Sequence, residues 1–261
     1  MSALDSLRAE LAAAGERLAA TAAGLSDEDV AAPSSLPGWS RGHVLTHVAR
    51  NADSHVNLLV WARTGIVTPQ YPDPGFREAG IAAGAGRGAR EQLADLRASA
   101  ERLAKAIAAV PAEGWSTMVG GLRPPTHPAW YTLVRRLREV ELHHVDLGAG
   151  YTPADWPEEF VLRELHDCRA LWPYGRSTVG EIRVTGGETW TDLGEGPVVE
   201  GSARDLLVWL TGRSAGEGIR VVREGHDGPQ HPLPEPPWMT APAPEGLPAA
   251  PPQHYPTRRT P

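Results

Sequence analysis

The chain has 261 residues, 41% of them hydrophobic, which is enough for one large domain or two modest ones. Its formal net charge of -7 comes without a basic stripe and argues against nucleic acid as the main partner, and no apolar run approaches the roughly 20 residues that span a bilayer. The N-terminus lacks an export signal, and the lone cysteine, Cys168, excludes an internal disulfide. We therefore expect a cytoplasmic protein that binds neither nucleic acid nor membrane.

The first half of the chain begins with two helical patterns and a loop. Residues 3–24 carry leucines along one helical stripe. A second helix is predicted from Ser40, as its N-cap, to about Arg63. Residues 65–87 are interrupted by prolines and glycines around Arg77, so we expect a long ordered loop, a type of segment that is often functional.

Two more helices complete this half. The third is predicted over about 89–110, and the fourth follows Pro128 and ends near residues 148–150. Four helices of about 20 residues with one long connection predict a four-helix bundle over residues 1–150. Such bundles often hold metal ions between facing helices.

The composition changes after Tyr151. Short strand patterns between glycine turns, together with two helical segments, predict a small α+β domain over residues 151–228. From 229 to 261 proline is so dense that we expect a tail without a packed core, largely extended or disordered. The predicted fold is thus an all-α bundle followed by an α+β domain.

The fourth helix offers two acid/imidazole pairs. Glu139 and His143 are four residues apart, and Glu141 and His144 are three apart, so each pair shares a helix face. A carboxylate and an imidazole are two of the three protein ligands that a catalytic zinc takes. The third ligand is expected from a histidine of the second helix, which carries His43, His47 and His55.

Periodicity alone leaves the choice of ligands open. Glu141 and His144 fall within the buried stripe of the fourth helix, whereas Glu139 and His143 lie on its flank. Periodicity therefore slightly favours Glu141 and His144 as the metal ligands. A histidine on an apolar helix is more often structural than a ligand. The histidines at positions 43 and 55 are the expected structural ones.

Two stretches resemble a known family, the mycothiol-dependent maleylpyruvate isomerases, whose N-terminal half belongs to the DinB-like metal-binding bundles. The resemblance covers nearly the whole chain up to the segment around Trp238. The stretches that carry it are Pro37-Gly38-Trp39-Ser40-Arg41-Gly42-His43 with Thr46-His47-Val48-Ala49-Arg50-Asn51-Ala52, and Arg138-Glu139-Val140 through His143 to Val145-Asp146-Leu147-Gly148.

The resemblance implies which residues act. It names His47, Glu139 and His143 as ligands of a divalent metal, above all Zn²⁺, and leaves the pair at positions 141 and 144 as supporting residues. It also implies that Arg77 and Arg213 bind substrate carboxylates, a task for which the guanidinium fork is well suited.

The implied reaction is the isomerisation of maleylpyruvate to fumarylpyruvate in gentisate degradation, with mycothiol as the thiol cofactor. A metal-activated thiolate would add reversibly to the cis double bond. Cys168 is expected to be a small core residue rather than the nucleophile. The partners are therefore a small-molecule substrate and a low-molecular-weight thiol.

Two other functions remain open. A mycothiol S-transferase acting on another electrophile would need the metal ligands but not both carboxylate-binding arginines. Arg220 is an alternative to Arg213 as the second of these arginines. A non-catalytic regulatory module would bind metal without turnover, with the proline-rich tail as its contact surface.

Overall fold

The protein is described by a computed structural model over residues 2–73, 75–121, 125–175, 177–222, 236 and 243–256. It divides into two compact units, one of residues 1–152 with 246–261 and the other of residues 153–245. Within the described ranges, none of the helices combines the length and apolarity that crossing a membrane requires.

The first unit is a four-helix bundle with two short additional helices. Its helices are α1 (Ala3–Ala23), α2 (Asp27–Ala31), α3 (Arg41–Thr64), α4 (Phe76–Ala85), α5 (Ala89–Ala109) and α6 (Tyr131–Asp146). Helix α1 packs against α5 and α6, and α3 packs against the same two helices. A 3₁₀ turn (Ala112–Ser116) and an antiparallel pair of two-residue strands, β1 (Met118–Val119) and β2 (His127–Pro128), connect α5 to α6. This architecture confirms the predicted bundle.

Helix α3 begins and ends where its sequence predicts. The Ser40 hydroxyl accepts a hydrogen bond from the backbone N–H of His43, and the His43 ring contacts Ser40 in return. This reciprocal cap satisfies backbone donors that the first helical turn leaves free. Gly65 ends the helix at φ 72°, a left-handed conformation that glycine adopts without strain.

The expectation of a continuous loop over residues 65–87 is wrong, because α4 lies within it. Its glycines reduce helix propensity but permit a close contact with α3. A Cβ atom on Gly84 would lie 2.5 Å from Cγ2 of Thr46, and one on Gly42 would lie 2.3 Å from the carbonyl oxygen of Ala85. Packing of α4 against α3 therefore outweighs the low helix propensity of these glycines. Ile81 of α4 is buried as well.

The second unit is a small α+β fold, as predicted. Its elements are a 3₁₀ turn (Pro153–Asp155), α7 (Glu158–Ala170), β3 (Glu181–Val184), β4 (Thr189–Trp190), β5 (Val198–Gly201), α8 (Ala203–Leu210) and β6 (Arg220–Val222). The strand order is β4-β3-β5-β6, with β3 parallel to β5 and the other pairs antiparallel. Cys168 on α7 is 5% exposed, which confirms its prediction as a core residue.

Residues 246–256 of the C-terminal tail belong to the first unit and pack against its other residues. The indole Nε1 of Trp130 donates to the carbonyl oxygen of Pro248 at 2.9 Å, and the Tyr255 ring lies 5.1 Å from the Trp130 ring and 5.9 Å from that of Tyr131. The expectation of an unpacked tail is wrong for these residues, because aromatic rings supply apolar area that the proline count does not reveal. Residues 229–235, 237–242 and 257–261 lie outside the described residues.

His55 has the structural role expected of it. It is fully buried on α3, and its Nδ1 lies 2.8 Å from the carbonyl oxygen of Asn51. Burial lowers the pKa of His55 to about 3, with a further contribution from the charges of Arg135 and Arg136. The ring is therefore neutral in the folded protein over most of the acid range.

The buried His55 ring makes stability depend on pH. Between its usual pKa of 6.5 and about 3, the unfolded chain binds a proton that the folded chain excludes, so the free energy of unfolding falls as pH falls. The contribution is on the order of 5 kcal/mol across that window. In a His55→Leu variant the fall should be smaller by about that amount, as measured by urea unfolding at several pH values with a chelator present. Parallel pH profiles for the two proteins would contradict this account.

Candidate metal centre

Three side chains of α3 and α6 meet at one point. His47 lies on α3 and is 3% exposed, whereas Glu139 and His143 lie one turn apart on α6, with side chains 29% and 18% exposed. The i, i+4 spacing places the two α6 residues on the same helix face, opposite His47. The cluster is thus closed on the α3 side and partly open on the other.

The distances within the cluster fit a metal ion. Nε2 of His47 lies 3.0 Å from Oε2 of Glu139 and 3.1 Å from Nε2 of His143, and the latter two atoms are 3.4 Å apart. Ligand atoms at about 2.0–2.1 Å from a tetrahedral zinc are separated by about 3.3 Å. The three atoms therefore have the spacing of three corners of such a tetrahedron, and the residue types are zinc ligands.

The electrostatics of the cluster also favour a cation. Burial alone would raise the pKa of Glu139, but hydrogen bonds from His143 and His47 lower it well below its usual value. Burial lowers the pKa of His47, which favours a neutral ring with a free lone pair. An anionic oxygen and imidazole nitrogens that converge on one point are suited to bind a positive ion.

Asp146 orients His143, the third member of the cluster. Its Oδ2 lies 2.8 Å from Nδ1 of His143, and the carboxylate is almost fully buried. Burial lowers the pKa of His143, but the hydrogen bonds to Asp146 and Glu139 outweigh it and raise that pKa. An Nδ1–H donated to Asp146 leaves Nε2 directed at the cluster, the arrangement that carboxylates impose on metal-bound histidines. The sequence signal for Asp146, its i, i+3 spacing from His143, is weak on its own, and no role is predicted for it above.

Arg77 lies beside the cluster, at the start of α4. Its Nη2 is 3.4 Å from Nδ1 of His47, and its guanidinium carbon lies 5.9 Å from the Trp39 ring centre. The Trp39 ring in turn lies 5.7 Å from the His47 ring. Arg77 is 35% exposed and also contacts Glu78, so part of its guanidinium remains open to a ligand.

The other acid/imidazole pair faces a different helix. Glu141 is 1% exposed and accepts hydrogen bonds from Arg17 of α1 and from the Tyr151 hydroxyl, both at 2.6 Å. Nε2 of His144 lies 2.7 Å from the Thr21 hydroxyl, and its ring stacks on Tyr151. The periodicity correctly indicates that this pair is buried, but the contacts above join it to α1 and Tyr151 and not to the cluster.

The second predicted arginine belongs to the other unit. Arg213 follows α8, where its backbone N–H donates to the carbonyl oxygen of Val208 and its Nη1 to that of Thr211. A cation at this position is favoured by the helix dipole. Arg220 lies on β6 and pairs with Glu200.

Residues 11–148 match the mycothiol maleylpyruvate isomerase N-terminal domain, which is more than half of the chain. The chain belongs to this family. Comparison with curated protein sequences gives no match.

Two solved structures resemble the family member described here over most of its length. A crystal structure of the mycothiol-dependent maleylpyruvate isomerase superposes with a TM-score of 0.79 at 26% identity, covering 90% of this chain and 96% of that chain. A crystal structure of a histidine-to-alanine mutant of the isomerase gives the same values. The bundle and the α+β unit are therefore both elements of a known fold.

The separation of the two acid/imidazole pairs predicts different effects for neighbouring histidines. A His143→Ala variant should lose at least about 100-fold in metal affinity, because a ligand is removed, whereas His144→Ala should retain metal. Metal content after dialysis and the visible absorption of the Co²⁺-loaded proteins would measure this. Circular dichroism would verify that both variants are folded, and equal loss of metal in folded variants would contradict the assignment.

Proposed function

We propose that the protein is a metal- and mycothiol-dependent isomerase that converts maleylpyruvate to fumarylpyruvate. The observation that carries the proposal is the convergence of His47, Glu139 and His143 with the spacing of a tetrahedral metal site. Membership of the family and the likeness to the isomerase crystal structures support the choice of reaction.

The three residues would hold a divalent metal, with zinc the ion that suits them best. A zinc ion bound there would stabilise the thiolate form of mycothiol. This thiolate would be the nucleophile that adds reversibly to the cis double bond of maleylpyruvate. The partly exposed side chains of Glu139 and His143 leave one side of the cluster accessible to a thiol. Structural zinc sites, in contrast, are normally closed by four protein ligands.

The surrounding residues would keep the ligands in place and bind the substrate. Asp146 holds the His143 ring so that Nε2 remains directed at the cluster. Arg77 presents an incompletely paired guanidinium beside His47, where it would bind one carboxylate of the substrate through a charge-assisted fork. We assign the second carboxylate to Arg213 on the basis of the family resemblance.

The protein itself should supply no competing thiol. Its lone cysteine, Cys168, is buried on α7 in the second unit. Deprotonated thiols act as nucleophiles only where they are accessible and electrostatically favoured. A low-molecular-weight thiol is therefore the expected nucleophile.

The first test is isomerisation of maleylpyruvate by the zinc-loaded protein. We expect turnover with mycothiol and none without it, and a His47→Ala variant should lose at least about 100-fold in rate because a metal ligand is missing. The measurement is the conversion of maleylpyruvate to fumarylpyruvate followed by absorbance and chromatography. A His43→Asn variant is the matched control, since His43 lies one turn away and contacts Ser40 instead of the cluster.

The outcomes separate the site from the reaction. Turnover without mycothiol would contradict the assignment of the thiol cofactor. Unchanged turnover in the His47→Ala variant would contradict the assignment of the metal site. Stoichiometric metal binding through His47 without any reaction of maleylpyruvate would leave the site intact and disprove the isomerase assignment.

The arginines distinguish an isomerase from a thiol transferase. Replacing Arg77 or Arg213 by alanine should lower kcat/KM for maleylpyruvate by about 10- to 100-fold, because each removes a charge-assisted hydrogen bond. Arg220→Ala is the control, since this exposed arginine pairs with Glu200 at the sheet edge. The measurement is isomerase kinetics at saturating mycothiol, with metal content determined for each variant.

A different result would favour the transferase. In that result the wild-type protein and the Arg213→Ala variant both fail to isomerise maleylpyruvate and yet form S-conjugates of mycothiol with other electrophiles at the same rate. It would exclude maleylpyruvate, with its two carboxylates, as the substrate.

A further inference from the structure

The two histidines of the cluster differ in the group that faces their Nδ1 atoms. Nδ1 of His143 lies 2.8 Å from the Asp146 carboxylate, whereas Nδ1 of His47 lies 3.4 Å from Nη2 of Arg77. Within the described ranges, this contact with Arg77 is the only hydrogen bond that Nδ1 of His47 makes. One imidazole therefore faces an anion and the other faces a cation.

The contact with Arg77 opposes the use of His47 as a metal ligand. A metal ion at Nε2 takes the lone pair of that nitrogen, so the ring proton must lie on Nδ1. A guanidinium has only N–H donors and cannot accept a hydrogen bond from this proton. The hydrogen bond from Nη2 of Arg77 requires a lone pair on Nδ1 instead, which leaves the proton on Nε2. A carboxylate in this position, as at His143, would favour the ligand form.

The charge of Arg77 acts in the same direction. Burial lowers the pKa of His47, and the charge of Arg77 lowers it further, so this guanidinium disfavours positive charge on the ring. A cation bound at Nε2 would lie across the same ring from Arg77 and would be repelled as well. The Glu78 carboxylate lies 3.4 Å from Nη1 of Arg77, but it is 64% exposed, and an ion pair at such a surface position compensates little of the charge.

Arg77 is accessible to an anion although its position is fixed. Its guanidinium carbon lies 5.9 Å from the centre of the Trp39 ring, a cation–π contact. The side chain is nevertheless 35% exposed. A carboxylate can therefore bind the guanidinium, and Nη2 would then donate to that anion and no longer to Nδ1 of His47. The same anion would compensate the charge that repels a metal ion.

We propose that Arg77 couples metal binding to anion binding, so that the cluster binds a divalent metal more tightly when a carboxylate occupies Arg77. This coupling rests on the function proposed above, because it takes His47 as a metal ligand and Arg77 as a carboxylate site. Thermodynamic linkage requires the reverse effect as well: the metal raises the affinity for the carboxylate by the same factor. A bound substrate would thus protect the site against loss of its metal.

Chelator competition on the full-length protein tests the coupling without the isomerase reaction. The dissociation constant of Zn²⁺ is measured with and without maleate, a dicarboxylate, at constant ionic strength and in the absence of mycothiol. In the wild-type protein, maleate should tighten zinc binding at least about fivefold. Calorimetric titration with maleate should give the same factor between the zinc-loaded and the chelator-treated protein.

Substitutions of Arg77 separate the coupling from direct coordination of zinc by maleate. Arg77→Met removes the charge and the donors but keeps a side chain of similar length. It should bind zinc at least about fivefold more tightly than the wild type when maleate is absent, and maleate should have no further effect. Arg77→Lys is the matched control, since it retains the positive charge and should bind zinc no more tightly than the wild type.

Three results would overturn the coupling: equal zinc affinity in the wild-type and Arg77→Met proteins, no effect of maleate on the wild type, or the same effect of maleate on both. The last would show that maleate coordinates the zinc directly. Failure of the proposed function gives a different pattern, in which the wild-type protein binds no zinc or binds it equally well after His47→Ala. Either result would remove the metal site and the coupling with it.

Discussion

The candidate site depends on the rotation of α6 about its own axis. Successive residues of a helix are 100° apart, so Glu139 and Glu141 point to nearly opposite sides of α6. Glu139 faces α3 and the candidate metal site, whereas Glu141 faces α1 and pairs with Arg17 at 2.6 Å. Loss of Arg17 would remove the cation beside this buried carboxylate, which is destabilising. The ion pair with α1 therefore helps to fix the helix face that carries the proposed metal ligands.

Much of the fold follows from local sequence signals. The four long helices, the Ser40 cap and the short strands of the second unit are set by periodicity, capping residues and glycine turns, all of which can be read within a few residues. The sequence also limited the ligands to two acid/imidazole pairs of one helix. It could not choose between them by periodicity, because both pairs are packed against other helices. The difference lies in which helix each pair faces.

The contacts that decide such questions are distant in sequence. Arg17 and Glu141 are 124 residues apart, and so are invisible to any pattern within one helix. The packing of the tail is likewise decided by contacts distant in sequence, so the prediction of an unpacked tail is wrong for residues 246–256. Its prolines indicate an extended backbone, but the rings of Trp130 and Tyr131 that receive Tyr255 belong to a different part of the chain. The resemblance to a family supplied the missing long-range information for the ligands, whose binding of metal remains a prediction.

The glycine contact between α3 and α4 has a consequence for Arg77. A methyl group on Gly42 or Gly84 would overlap atoms of the opposite helix, so α4 would have to shift as a rigid body. Arg77 lies in the first turn of α4, and its guanidinium would move with the helix, away from its present 3.4 Å contact with His47. Substitutions at two positions without functional groups could thus impair substrate binding while all three proposed metal ligands remain intact. A loss of activity by this route would map to the helix contact and not to the reacting groups.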